Sequence, residues 1–235
     1  GHSSANENGE ATDDKSLKMT ADVKSNGAAI VGGWATNDAK LENNTTTKLT
    51  VEKNVFSSGT KLSLNSEGRA VYDAVSDLGT GGVLAGGNSY AEVKHNARVE
   101  AAVSAVNASL ESLALQLANQ EKATLKAYSA GGTVIEVSEK AAQVNHADTS
   151  KTLANVSGSW HATGDVTLGS SSTHELGFLV DNTKGVVTGG SSVLLENRMA
   201  GKNTLNVSGS IDAGKNLSAA ARTDLQIGAV SGKTY

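Results

Sequence analysis

Apolar residues along this chain recur mostly by alternation. Lys48-Leu-Thr-Val51, Lys61-Leu-Ser-Leu64, Asp165-Val-Thr-Leu168 and Thr204-Leu-Asn-Val207 each carry an apolar side chain at every second position. That is the period of a strand with one buried face. Longer alternations occur at Glu175-Leu-Gly-Phe-Leu-Val180 and Asp224-Leu-Gln-Ile-Gly-Ala-Val230. Gly, Asn, Asp and Ser between the runs supply turns. The pattern predicts an all-β chain.

The runs return at a fixed interval. Val156-Ser-Gly-Ser reappears as Val207-Ser-Gly-Ser, 51 residues later. Val166-Thr-Leu168 reappears as Leu217-Ser-Ala219, and Leu62-Ser-Leu64 as Leu113-Ala-Leu115. Gly-flanked apolar segments around Val31, Val83, Val134 and Val186 keep the same frame, at steps of 51 or 52. Such a period predicts a parallel β-helix, or β-solenoid. Its repeat units are about 27–78, 79–130, 131–182 and 183–235, within one domain over 21–235. Residues 1–20 read as a polar lead-in, with Gly1-His2-Ser3 a cloning remnant and Leu17 and Met19 able to start a strand. A repeat this long exceeds a solenoid coil of about 20–30 residues, so each unit is expected to hold two coils. That makes roughly 8–9 coils and a stack about 40 Å long. Val51, Val156 and Val207 are expected in one core column, with Ala102 or Val103 between them.

One stretch carries two periods. Val99, Val103, Val106, Leu110, Leu113 and Leu117 have helical spacing among good helix formers. The repeat frame and the alternation of Leu113, Leu115 and Leu117 favour strand, and strand is the expectation for 97–118.

Composition supports the stacked picture. The chain has 26 Gly, no Pro, no Cys and only 3% aromatics. Average usage would give about 12 prolines. Proline lacks the N–H that a ladder needs, so its absence suits a chain paired on both sides. Without Cys there is no disulfide or thiol chemistry. The net charge of −4, mixed along the chain, argues against nucleic acid. No apolar run reaches the roughly 18 residues of a membrane span.

Candidate chemistry is thin. Gly209-Ser-Ile-Asp-Ala-Gly-Lys215-Asn216 approximates a phosphate loop but ends in Asn where Ser or Thr is needed. Gly228-Ala-Val-Ser-Gly-Lys-Thr234 is one residue short of the same motif. His95 and His146 are 51 apart, and the same step leads to Asn44 and Asn197. With two coils per repeat the two rings would lie about 9–10 Å apart, too far to share a metal at bond lengths near 2.0–2.1 Å. A structural column is therefore expected. His161 and His174 show no carboxylate at a telling spacing. Arg69, Arg98, Arg198 and Arg222 suggest no cluster of the kind a polysaccharide-cleaving β-helix enzyme needs. Sequons occur at Asn43, Asn44, Asn107, Asn155, Asn206 and Asn216, in a chain rich in Asn, Ser and Thr. No catalytic, metal or cofactor residue is expected.

The segment Asn206-Val-Ser-Gly-Ser-Ile-Asp-Ala-Gly-Lys-Asn-Leu-Ser-Ala-Ala-Ala-Arg-Thr-Asp-Leu-Gln-Ile-Gly-Ala resembles the coils of filamentous-hemagglutinin-type exoproteins. Gly81-Gly-Val-Leu-Ala-Gly-Gly-Asn-Ser is similar to the repeats of leukotoxin-like filamentous adhesins. The resemblance implies a right-handed β-helix, export through an outer-membrane pore, and display on the bacterial surface or secretion. It implies adhesion to host or bacterial proteins or glycans, or the shaft of a toxin-delivery filament. It brings no catalytic residues. Tyr72, Tyr90, Tyr128 and Trp160 are the candidate surface contacts, and Trp34 and Phe178 the candidate core aromatics.

Overall fold

The computed structural model describes residues 2–7, 17–28, 33–53, 55–147, 149–183 and 188–228. Among them are twelve strands and no helix. The first four are β1 (His2–Glu7), β2 (Leu17–Ala28), β3 (Gly33–Asn43) and β4 (Thr46–Lys53). Next come β5 (Lys61–His95), β6 (Arg98–Leu110), β7 (Ser112–His146) and β8 (Lys151–Ala162). The last four are β9 (Val166–Thr183), β10 (Thr188–Met199), β11 (Lys202–Ala213) and β12 (Leu217–Ile227).

The strands form two sheets. The larger runs β1-β5-β7-β9-β12, with β2 and β3 also on β5 and β10 on β7; the smaller runs β11-β8-β6-β4. Each of these pairings is parallel except that of β1 with β5. The chain is thus all-β, with parallel stacked strands compatible with a solenoid. Part of the N-terminal lead-in joins the sheet: β1 lies antiparallel on Leu62–Glu67, and β2 starts at Leu17.

The repeat is one step of the ladder. Leu62 lies directly opposite Leu113, and Val156 directly opposite Val207, each pair 51 apart in sequence. Two coils per repeat would place another strand between them. The double-coil expectation is therefore corrected: one unit raises the stack by one strand spacing, about 4.8 Å. The predicted valine column is present as Val51–Val103–Val156–Val207. The apolar segments at Val31 and Val186 lie outside the described residues, as do Ala229, Val230 and most of the second loop-like motif.

Strands β5 and β7 have 35 residues each and bend back on themselves. Ser76 and Ser89 of β5 face each other with their hydroxyl oxygens 2.7 Å apart. Each long strand thus has a first limb, a Gly-containing bend near 79–87 or 130–132, and a returning limb. Leu62, Leu64, Leu113, Leu115 and Leu168 pack with Val99, Val103, Val156 and Trp160 of the smaller sheet in one core. Ala74, Val93, Leu125, Val144 and Phe178 form the second, between the limbs. Burying each Leu or Val contributes about 1.5–3 kcal/mol.

Within 97–118 all residues but Ala97 and Glu111 are strand, with a register shift between Ala105 and Ala108. Val99, Ala101, Val103 and Ala105 are buried, Val106 and Asn107 bulge outward, and Ala108 and Leu110 resume the buried face. A phase change in two alternating runs mimics helical spacing. Gly158, opposite Ala105, has φ +97°, and a Cβ there would meet the Ala105 carbonyl oxygen at 1.8 Å. Its ladder partner Gly209 lies within β11, with φ +116°, so the phosphate-loop likeness begins in a stacked strand and ends, at Gly214-Lys215-Asn216, in the bend that follows it.

Three aromatics differ from expectation. Tyr72 and Trp160 are buried, at 1% and 2% exposure, and cannot serve as surface contacts. Both lie on the inward phase of their strands, and Trp160 closes its N–H on the Ser157 carbonyl. Trp34, expected in the core, is 62% exposed, while Phe178 is buried. Tyr90 and Tyr128 are partly exposed, and Tyr90 donates to Glu139 at 3.1 Å.

Candidate functional site

Between the two cores, polar side chains take over the inward positions. On β7 the alternation Leu113, Leu115, Leu117, Asn119, Glu121, Ala123, Leu125 is buried throughout, so the strand period itself carries Glu121 inside. On β9 the same period buries Val166, Leu168, Ser170, Ser172, His174 and Leu176. The returning limbs of β5 and β7 end in His95 and His146, both buried and directly opposed in the ladder. Their column continues to Asn43 on one side and Met199 on the other, not to Asn44 and Asn197.

The groups converge on one carboxylate. Glu121 Oε2 lies 2.5 Å from His146 Nε2 and 2.8 Å from His174 Nδ1. Ser172 Oγ lies 2.8 Å from the other nitrogen of His174. His95 Nδ1 meets the Tyr72 hydroxyl at 2.7 Å, and Asn43 donates to that hydroxyl at 2.6 Å. The ring centroids of His95, His146 and His174 are 4.7–5.9 Å apart. Glu121 Oε1, His95 Nε2, His146 Nδ1, Asn119 Oδ1 and Thr152 Oγ1 are buried without a hydrogen bond.

The electrostatics follow from burial and contact. Burial opposes charge on Glu121, but the hydrogen bonds from His146 and His174 outweigh it and hold the carboxyl at about 2. Burial lowers His95 to about 4; His146 and His174 add to that, and Glu121 and Asn119 pull against it. Burial is also the main cause that raises the Tyr72 phenol. The result is an ionised carboxylate held between two rings at a polar level of the interior.

The histidine spacing places His95 and His146 in one column, but two coils per repeat would set them about 9–10 Å apart, whereas they are adjacent in the ladder. It missed the carboxylates. Glu121 lies 53 residues from His174, and exposed His161 meets Asp212 at 2.9 Å across 51 residues. Both spacings are a single ladder step. The legible signal for Glu121 was a charged residue on the inward phase of an alternating run.

Glu121, His146 and His174 present three ligand atoms within 4.8 Å of one another, a set able to hold a metal ion. No helix among the described residues is long and apolar enough to cross a membrane. No family model matches this chain, nor does any curated protein or solved structure.

Proposed function

We propose that this chain is a repeat segment of a large bacterial adhesin, displayed at the cell surface or secreted through an outer-membrane pore. It acts as a rod that holds a distal binding or toxic region away from the envelope. In this reading the fold is a right-handed parallel β-helix with one coil per repeat, roughly four to five coils and about 20 Å of rod. The role is mechanical and requires no catalysis. Contacts with host or bacterial proteins or glycans use the outer faces, where Tyr90 and Tyr128 are partly exposed.

The observation that supports this reading is the in-register parallel ladder. Equivalent residues of successive units lie over one another, as in Leu62–Leu113–Val166–Leu217. Load along such a stack is shared by many backbone hydrogen bonds and by continuous apolar columns.

Two measurements test it. Electron microscopy of the complete gene product is expected to show a filament, and a compact particle overturns the rod. Beads coated with the purified chain are expected to attach to epithelial or bacterial cells above an albumin-coated control. Attachment no better than the control overturns direct contact by this segment.

A further inference from the structure

We propose that Glu121, His146 and His174 form a binding site for one divalent transition-metal ion of the zinc type, buried at the seam between the two cores.

Four observations carry this. First, the donors converge. Two ligands of a tetrahedral zinc ion lie about 3.3 Å apart when the metal–ligand bonds are near 2.0–2.1 Å. Here the carboxylate oxygen is 2.5 Å and 2.8 Å from the two ring nitrogens, and all three atoms lie within 4.8 Å. Small rotations of the rings admit the ion between them. On binding, each N–H···O contact becomes an N–metal–O contact: a neutral ring shifts that proton to its other nitrogen by exchange with solvent, a protonated ring gives one proton to solvent, and both rings ligate as neutral imidazole.

Second, the surroundings are those of a ligand set. The distal nitrogen of His174 is held by Ser172 Oγ at 2.8 Å, which fixes the ring with its other nitrogen toward Glu121. Metal-bound histidines are oriented in this way. Glu121 Oε1 is buried and has no hydrogen bond. That state is costly beside a carboxylate confined to hydrogen bonding, and is relieved when both oxygens face a cation.

Third, there is room. A cavity of about 20 Å³ adjoins the triad, lined in part by Asn119, His146, Thr152, Ser172 and His174. Holding one water takes about 10–15 Å³. A solvent ligand in the fourth position therefore fits, and the unpartnered oxygens of Asn119 and Thr152 are at hand to bond it.

Fourth, the set breaks the repeat. The ladder column of Glu121 and His174 reads Leu17–Ala70–Glu121–His174–Leu225, and that of His146 ends in Met199. Glu121 and His174 occupy two successive levels of a column that is elsewhere apolar, and His146 meets them from the separate column Asn43–His95–His146–Met199, so stacking alone does not account for the set. Two imidazoles and one carboxylate suit zinc, cobalt, nickel or copper. Calcium and magnesium demand more oxygens.

The test uses the full chain stripped with a chelator and titrated with Zn²⁺ against a chromophoric competitor, and separately with Co²⁺. One ion per chain is expected, with a Co²⁺ spectrum of low-symmetry nitrogen and oxygen coordination. E121Q and His174→Gln are expected to lose binding by at least a hundredfold, and Ser172→Ala to weaken it by about 10–100-fold. The double variant His2→Ala/His161→Ala removes the two histidines outside the cluster and is expected to bind as the parent does. Far-ultraviolet circular dichroism shows which variants fold. Should E121Q or His174→Gln fail to fold, X-ray absorption at the zinc edge of the parent decides, with two imidazoles bound expected. Stoichiometric binding that survives in folded E121Q, or that vanishes in His2→Ala/His161→Ala, overturns the proposal. Failure of the parent chain to bind does so too. None of these outcomes bears on the adhesion assay.

Discussion

His95 and His146 are 51 positions apart in sequence and direct neighbours in the ladder, their ring centroids 5.5 Å apart. The same step brings Glu121 against His174, and the bend of β7 brings Glu121 against His146. Strand stacking and strand bending together assemble a charged cluster that neither would form alone.

Glu121 anchors that cluster, and E121Q is expected to destabilise the metal-free protein by about 1.5–3 kcal/mol, as for loss of a hydrogen bond to a buried charged group. The amide replaces one acceptor oxygen with a donor and leaves a ring N–H facing it. Urea unfolding in the presence of chelator measures the change, and a loss under about 1 kcal/mol would mean that the contact is not formed in solution.

Stability of the metal-free protein is expected to fall with pH in two overlapping stages. His95 is held at about 4 in the fold against 6.5 in the free side chain, facing Tyr72, Glu121, His146 and His174. The unfolded chain takes up the proton first. The contribution is complete above 6.5, declines between 6.5 and 4, and is gone below. At about 1.4 kcal/mol per pH unit the loss is on the order of 3 kcal/mol. Glu121, held at about 2 against 4.5, contributes fully above 4.5 and loses that contribution as pH falls toward 2. Urea midpoints across this range check the shape, and His95→Asn is expected to flatten the upper stage and, because His95 also helps hold Glu121 ionised, to change the lower stage less.

Gly158→Ala is expected to cost roughly 1–3 kcal/mol or more, since its φ is +97° and the added Cβ would meet the Ala105 carbonyl oxygen at 1.8 Å. Gly177→Ala is the control. The nearest atom to a Cβ there is the Ala123 oxygen at 3.8 Å, and a change within about 0.5 kcal/mol is expected. Thermal melts of the two variants beside the parent decide the comparison.

Leu115→Ala is expected to cost about 2–5 kcal/mol, because the side chain is fully buried at the centre of the first core. Val207→Ala occupies a column position that is 46% exposed and is expected to cost under about 1 kcal/mol. Equal losses in denaturant unfolding would contradict the placement of the core.

The column Val51–Val103–Val156–Val207 was readable from the repeat, because a residue that stacks on its own equivalent leaves a period in the chain. The height gained per period was not readable. Recurrence tells how often the path returns, and not how wide a circuit it makes. Here the path between stacked positions is long because β5 and β7 run through Gly-containing bends with no shift of register. Tyr72 and Trp160 were misplaced for a related reason. A narrow core leaves no room for large rings, whereas a wide one admits them at the levels where Ala123 or Ala108 lies opposite. Glu121 and His174 belong to a different column from His95 and His146, so no single spacing could join all four.

A circuit this broad is an extravagant ruler. In the proposed rod some fifty residues go into each strand spacing of height, so a reach of about 100 Å would take on the order of a thousand residues. Growth comes in whole circuits, because an insertion of any other length throws every later column out of alignment. Duplication of complete units is the genetic event that lengthens such a molecule without unfolding it.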